Sequence, residues 1–184
     1  NYDTSKLTFK DITKQYDGEL IRAEVSGTLP DGLVIKYYEN NEHLHVTNSS
    51  LGYEIASVYF DTTNPNYNIP SSMSCKIKIT PIKVTIKLVQ TQFAYTGNQI
   101  NVQAIISNVD GVQVLDGDQV NVELTNNNNV NAGKYITSVL LDNSDYASTV
   151  SSLVYYINPI AVDMSDITFD DVVATYDGRE HNPS

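Results

Sequence analysis

Tryptophan is absent from this 184-residue chain, cysteine occurs once, and 11 Lys and Arg face 22 Asp and Glu. Each shortage excludes something. A single cysteine, Cys75, rules out a fold built on intramolecular disulfides. Its alternation with Ile77 and Ile79 in "CKIKIT" puts the thiol on their apolar face, as a core residue rather than a reactive one. The net charge of -11 opposes phosphate backbones and anionic bilayers, because nucleic-acid affinity depends on Lys and Arg displacing counterions. No apolar run approaches the ~20 residues that span a membrane. A glycine-rich phosphate loop, a nucleophile elbow and a Ser-His-Asp arrangement are all missing, so no enzyme class is indicated. Without Trp, sugar-stacking falls to the 13 tyrosines, of which Tyr37, Tyr38 and Tyr59 are candidates for an exposed strip. Alternation sends Tyr37 and Tyr38 to opposite faces, so one of them is expected in the core.

What the chain does have is repetition. Ser5–Gly18 laid on Ser165–Gly178 gives identity at Ser5/Ser165, Thr8/Thr168, Phe9/Phe169, Asp11/Asp171, Tyr16/Tyr176, Asp17/Asp177 and Gly18/Gly178. A middle copy lies between them, with Tyr95 and Gly97 matching Tyr16 and Gly18. Ile21, Ala23, Val25 and Ser26 fall on Val102, Ala104, Ile106 and Ser107, and Gly52, Ile55, Ser57, Val58 and Asp61 fall on Gly133, Ile136, Ser138, Val139 and Asp142. The tails "ITPIKV" and "INPIAV" align Pro81 with Pro159. This divides the chain into repeat one (1–82), a diverged repeat two (83–162) and the opening of a third repeat (163–184). A chain that stops inside a module is expected to be a piece of a longer one, with Ile167, Phe169 and Val173 left exposed on a segment that is either disordered or seeking a partner.

Nearly every segment alternates apolar and polar residues with β-branched or aromatic side chains, between Gly, Asn, Asp or Pro. Examples are "IRAEVSG", "LVIKYY", "YEIASVYF", "CKIKITPIKVTIKL", "INVQAII", "VNVEL", "YITSVLL" and "LVYYI". No window carries helical spacing with caps. The chain therefore reads as all-β, as tandem immunoglobulin-like antiparallel sandwiches, with small β-grasp-like units as the alternative. Junctions are short and marked by proline, so the repeats are expected to stack as a stiff rod, each adding roughly 35–40 Å.

The order "LTF…YDG…VSG.LP.G…GY.I…FD…NYNIP…KI.I.P" resembles the MBG and YDG type of extracellular bacterial repeat domains, which occur in tandem in large surface proteins and adhesins. Repeat two departs from the pattern, with Thr96 for the aspartate and Ser144-Asp145-Tyr146 for Asn66-Tyr67-Asn68. The resemblance implies a secreted or wall-associated location, a structural or adhesive role, and no catalytic residues.

Several residues could still carry chemistry. Tyr16-Asp17-Gly18 reads as a tight turn: Gly supplies positive φ, Asp caps local N–H groups, and the Tyr hydroxyl reaches main chain. His43 and His45 in "EHLHV" would share a strand face and could bind a transition metal, though a third ligand is lacking. Asp110, Asp116 and Asp118 could offer oxygens to Ca²⁺, although their spacing fits no calcium loop and suits an ordinary turn. Lys87, Asn158 and Glu123 are placed where a Lys–Asn isopeptide crosslink with a promoting acid would sit. The expectation from these readings is a stalk without cofactor, whose partners are neighbouring repeats. The alternative is recognition of host glycan or protein through the loops where the copies differ, "ENNEHLH" and "NVDGVQVLDGD".

Overall fold

The computed structural model describes residues 1–107, 113–168 and 173–180. Repeat one contains β1 (Thr8–Phe9), β2 (Ile12–Gln15), β3 (Ile21–Arg22), β4 (Val25–Ser26), β5 (Leu33–Tyr37), β6 (Glu42–His43), β7 (Glu54–Thr62) and β8 (Met73–Thr80). Repeat two contains β9 (Ile82–Leu88), β10 (Gln92–Ala94), β11 (Ile100–Asn101), β12 (Ala104–Ser107), β13 (Val122–Thr125), β14 (Asn128–Asn129), β15 (Gly133–Leu141), β16 (Tyr146–Ser148) and β17 (Ser152–Asn158). One 3₁₀ turn, Glu39–Asn41, is the only helical element among the described residues, which favours sandwiches over a β-grasp unit.

The ladders repeat as the sequence does. A four-stranded sheet β2-β8-β7-β5 is echoed by β10-β17-β15-β13, the pair β3-β6 by β11-β14, and β1-β4 by the pairing of β9 with β12. Among the described residues no ladder crosses Pro81, which separates β8 from β9 and has no N–H to give. The chain is a tandem of immunoglobulin-like sandwiches.

Pairing is antiparallel except at the edges, where β2 runs parallel to β8, β10 to β17, and β16 to β9. That departs from a wholly antiparallel reading and has a local cause. The opening strand of repeat one breaks at Lys10-Asp11, pairing first with β4 and then with β8 in the other sheet, while the Asp11 carboxylate accepts the Lys76 N–H at 2.8 Å.

Alternation builds the core. Along β8, Cys75, Ile77 and Ile79 are buried while Lys76 and Lys78 are exposed, and burial pushes the Cys75 thiol up from its ordinary pKa. These side chains join Leu7, Phe9, Leu33, Val58 and Phe60 in one cluster that continues into Ile82, Val84 and Ile86 of repeat two. The far half of repeat two has its own aromatic nucleus, where Tyr155 is stacked on Tyr135 at 5.4 Å and meets Phe93 edge-on at 6.1 Å. Beyond Pro159 no ladder forms among the described residues, and Ile160, Val162, Met164, Ile167 and Val173 are exposed. Phe169 lies outside the described residues.

Matching main-chain hydrogen bonds correct the alignment of the copies. Ala23 N–H donates to Asn41 O and Val102 N–H to Asn127 O, so Ala23 corresponds to Val102, two residues from the match read in sequence. Likewise the turn Asn64–Tyr67 corresponds to Asn143–Tyr146, since in each the fourth residue's N–H reaches the first residue's carbonyl and the third residue's N–H reaches the first side chain. Asp145-Tyr146 therefore stands for Asn66-Tyr67.

Candidate functional site at the joint between the repeats

Tyr16 is the first residue beyond β2, and its N–H donates to Thr80 O at 2.8 Å, the last residue of β8. That bond holds the ring at the end of repeat one. Gly18 follows at φ 79°, where a side chain would be strained, and the Asp17 carboxylate accepts the Glu19 N–H and pairs with Lys14. Hydrogen bonding from Lys14 first, and then from the Glu19 N–H, lowers the Asp17 pKa despite some desolvation. The turn chemistry is as the sequence reads, but its surroundings are not local.

The Tyr16 ring is buried against repeat two, edge-on to Tyr146 at 6.0 Å, and it stacks on His45 at 6.4 Å. The Leu115 side chain reaches to 3.4 Å from where a Cβ on Gly18 would lie. Across the same joint the buried Asp145 carboxylate accepts the His45 Nδ1–H and the Val46 N–H, each at 2.7 Å. Tyr146 completes the construction on its own side: its hydroxyl donates to Asp118 at 2.6 Å and accepts the Leu115 N–H at 2.9 Å. Burial first, and then the charge of Asp118, raise the pKa of Tyr16.

The joint takes residues from both loops in which the copies differ. His45 and Val46 belong to the extra residues of repeat one, while Leu115 and Asp118 belong to the longer loop of repeat two. A buried carboxylate that accepts two N–H donors, with a Tyr-Tyr pair beside it, fixes how two modules meet. It supplies no nucleophile or base poised over a cavity.

The other candidates are dispersed. His43 ends β6, bonds Asn40 O at 2.8 Å and pairs with Glu54, whereas His45 lies beyond the strand and turns to Asp145. The two histidines do not converge, because the strand stops between them. Asp116 is exposed in a turn, Asp118 is engaged by Tyr146, and Asp110 lies outside the described residues. Among the described residues no group of three His, Cys, Asp or Glu is placed to hold a metal. Lys87 and Glu123 are exposed on different sheets, and the Asn158 amide donates to Gln92 at 3.0 Å, so the crosslink is not assembled.

Tyr37 and Tyr38 are both exposed, against the expectation that one is core. Tyr37 closes β5 and accepts the Val25 N–H through its hydroxyl; Tyr38 lies past the strand end and meets Tyr59 at 5.0 Å. With Glu39, Asn40 and Ser57 these rings line an open groove of about 790 Å³.

No protein-family model and no curated protein matches the chain. Among solved structures, the fibronectin(III)-like modules of Clostridium thermocellum CbhA are similar over 83% of this chain and 94% of that chain, at 13% identity and a TM-score of 0.30. The sequence signals that found parts of the joint were the turn Tyr16-Asp17-Gly18 and the length differences between copies. Asp145, Tyr146 and Leu115 carried no signal, since nothing local marks a residue whose partner is about 100 positions away.

Proposed function

We propose that the chain is a non-catalytic stalk segment of a bacterial cell-surface or secreted protein, in which tandem sandwiches hold another domain away from the envelope. The observation that carries this reading is the fate of the divergent loops. Loops that vary between copies are where a binding module would recognise its ligand, and here His45 of one and Leu115 and Asp118 of the other are spent on joining one repeat to the next. The acidic surface and the resemblance to tandem surface repeats agree with it. Its partners are other repeats of its own kind; calcium and other cofactors have no part in the reading. The alternative, recognition of a host glycan or protein, loses His45 and the Leu115–Asp118 turn to the joint and keeps the open groove around Tyr38 and Tyr59, which Glu39 and Asn40 of the first loop line.

Small-angle scattering from the purified chain tests the stalk directly. Two lobes in line, with a maximum dimension near twice the roughly 35–40 Å of one repeat, are expected. A compact globule would sink the reading.

A further inference from the structure

Repeat one carries at its opposite end an unfilled version of the surface that repeat two presents to Tyr16. Two turns make that surface in repeat two, Asn143–Tyr146 and Leu115–Asp118. The second is closed by the Asp118 N–H donating to Leu115 O at 3.1 Å, with Gly117 at φ 93°. Repeat one keeps the first of them: Asn64–Tyr67 has the bonds of Asn143–Tyr146, whereas Leu115–Asp118 belongs to the residues repeat two has in excess, since Thr63 N–H to Gly32 O matches Asp142 N–H to Asn121 O. Tyr146 is 4% exposed beneath Tyr16, whereas Tyr67 is 45% exposed, with Tyr2 stacked on it at 4.8 Å. Asn66 occupies the place of Asp145 with an amide oxygen able to accept the same N–H donors.

We infer that this face, Tyr67 with Asn66, is a docking site for the Tyr-Xaa-Gly end of another repeat of the same kind. The incoming ring lies against Tyr67 as Tyr16 lies against Tyr146, and the N–H donors following the incoming β6 strand turn to Asn66. The acceptor is neutral here, so this joint lacks the charge that Asp145 brings to the one already formed. The inference rests on the stalk reading and names its partner. The required chemistry is a tyrosine ring at a strand end, a glycine at positive φ two residues on, and free N–H donors from the neighbouring loop.

The test is a fusion that places a second copy of residues 1–82, carrying Tyr67→Phe so that a single Tyr67 peptide remains, ahead of Asn1. This sets Pro81-Ile82 before repeat one in the phase in which Pro159-Ile160 precede residue 161. Tyrosine nitration with peptide mapping then reads Tyr67 of the original repeat one, with exposed Tyr38 as internal control. Tyr67 reactivity is expected to fall about tenfold relative to the unfused chain, the ratio of exposure between Tyr67 and Tyr146. Asn66→Arg in that repeat restores it, since this exposed side chain makes no hydrogen bond among the described residues and can change without disturbing the sandwich. Unchanged Tyr67 reactivity in the fusion overturns the docking, as does protection that Asn66→Arg leaves intact. Scattering from the same fusion separates the two claims: three lobes in line with Tyr67 still reactive would end the docking and leave the stalk standing.

Discussion

Pro81 and Pro159 open two junctions that begin alike and finish differently. Ile82 and Val84 follow the first, and Ile160 and Val162 follow the second in the same alternation. The first pair is buried in β9, which has β12 on one side and β16 on the other; the second pair is exposed. The three equivalent tyrosines grade the same way, with Tyr16 at 6% exposure, Tyr95 at 36% and Tyr176 at 95%. Each also begins the same way locally, with glycine at positive φ two residues later. An identical local motif thus takes three environments, and the environment is set by whether a following module presents an Asx-Tyr turn to it. The motif is a connector that acquires its burial from its neighbour.

The comparison breaks most visibly at the tyrosines. Tyr16→Ala removes a ring packed between two repeats and should cost about 3 kcal/mol, in the range of large-to-small substitutions at buried aromatics. Tyr95→Ala should cost about 1 kcal/mol, and Tyr176→Ala should stay within about 0.5 kcal/mol, as surface changes do. Denaturant unfolding of the three variants, fitted with separate transitions for the repeats, reads the series. Equal losses at Tyr16 and Tyr95 would mean that the ring stabilises its own turn and the joint adds nothing.

Reading along one chain recovers what is local or periodic. Alternation found the strands, including buried Ile77 and Ile79, and the glycine of Tyr16-Asp17-Gly18 announced its positive φ. Alternation also caused the misalignment at Ala23, because a slip of two residues keeps every side chain on its proper face and leaves the pattern undisturbed. Only the cross-strand bonds to Asn41 and Asn127 break that degeneracy. Tyr37 and Tyr38 misled for a related reason: period two applies inside a strand, and Tyr38 lies one residue past the end of β5. The joint was least legible. His45 was read beside His43 as a metal ligand, whereas the two do not converge and its partner Asp145 sits on the opposite repeat.

A smaller effect sharpens the role of the carboxylate at the joint. Asp145→Ala strips the acceptor from the Val46 N–H and from His45 at a buried position, and leaving such a donor unpaired costs roughly 1–3 kcal/mol. The same substitution at its counterpart, Asn66→Ala, should change stability by less than about 0.5 kcal/mol, since that side chain is exposed. Hydrogen exchange at the Val46 amide gives the local readout: Asp145→Ala should speed it while amides within β7 and β8 keep their protection. Protection at Val46 that survives Asp145→Ala would show that other contacts close the joint.

A milder change at the joint than Asp145→Ala at neutral pH is Tyr146→Phe, which keeps the ring facing Tyr16 and removes only the hydroxyl that donates to Asp118 and accepts from Leu115, a loss of about 1 kcal/mol. Its signature lies in alkali. Burial, and then the hydrogen bond to Asp118, push the Tyr146 hydroxyl from 10.0 up to about 12. Between those values the unfolded chain has released this proton while the folded chain retains it. Stability is therefore fully present below pH 10 and is lost as pH rises towards 12. Tyr16, raised by burial and then by the Asp118 charge, adds to the same loss. Tyr146→Phe should start lower at pH 7 and fall less steeply across that window, in stability measured by denaturant unfolding at successive pH values. If the variant and the parent decline in parallel, Tyr146 does not hold its proton against solvent, and the Asp118 contact is not what seals the joint.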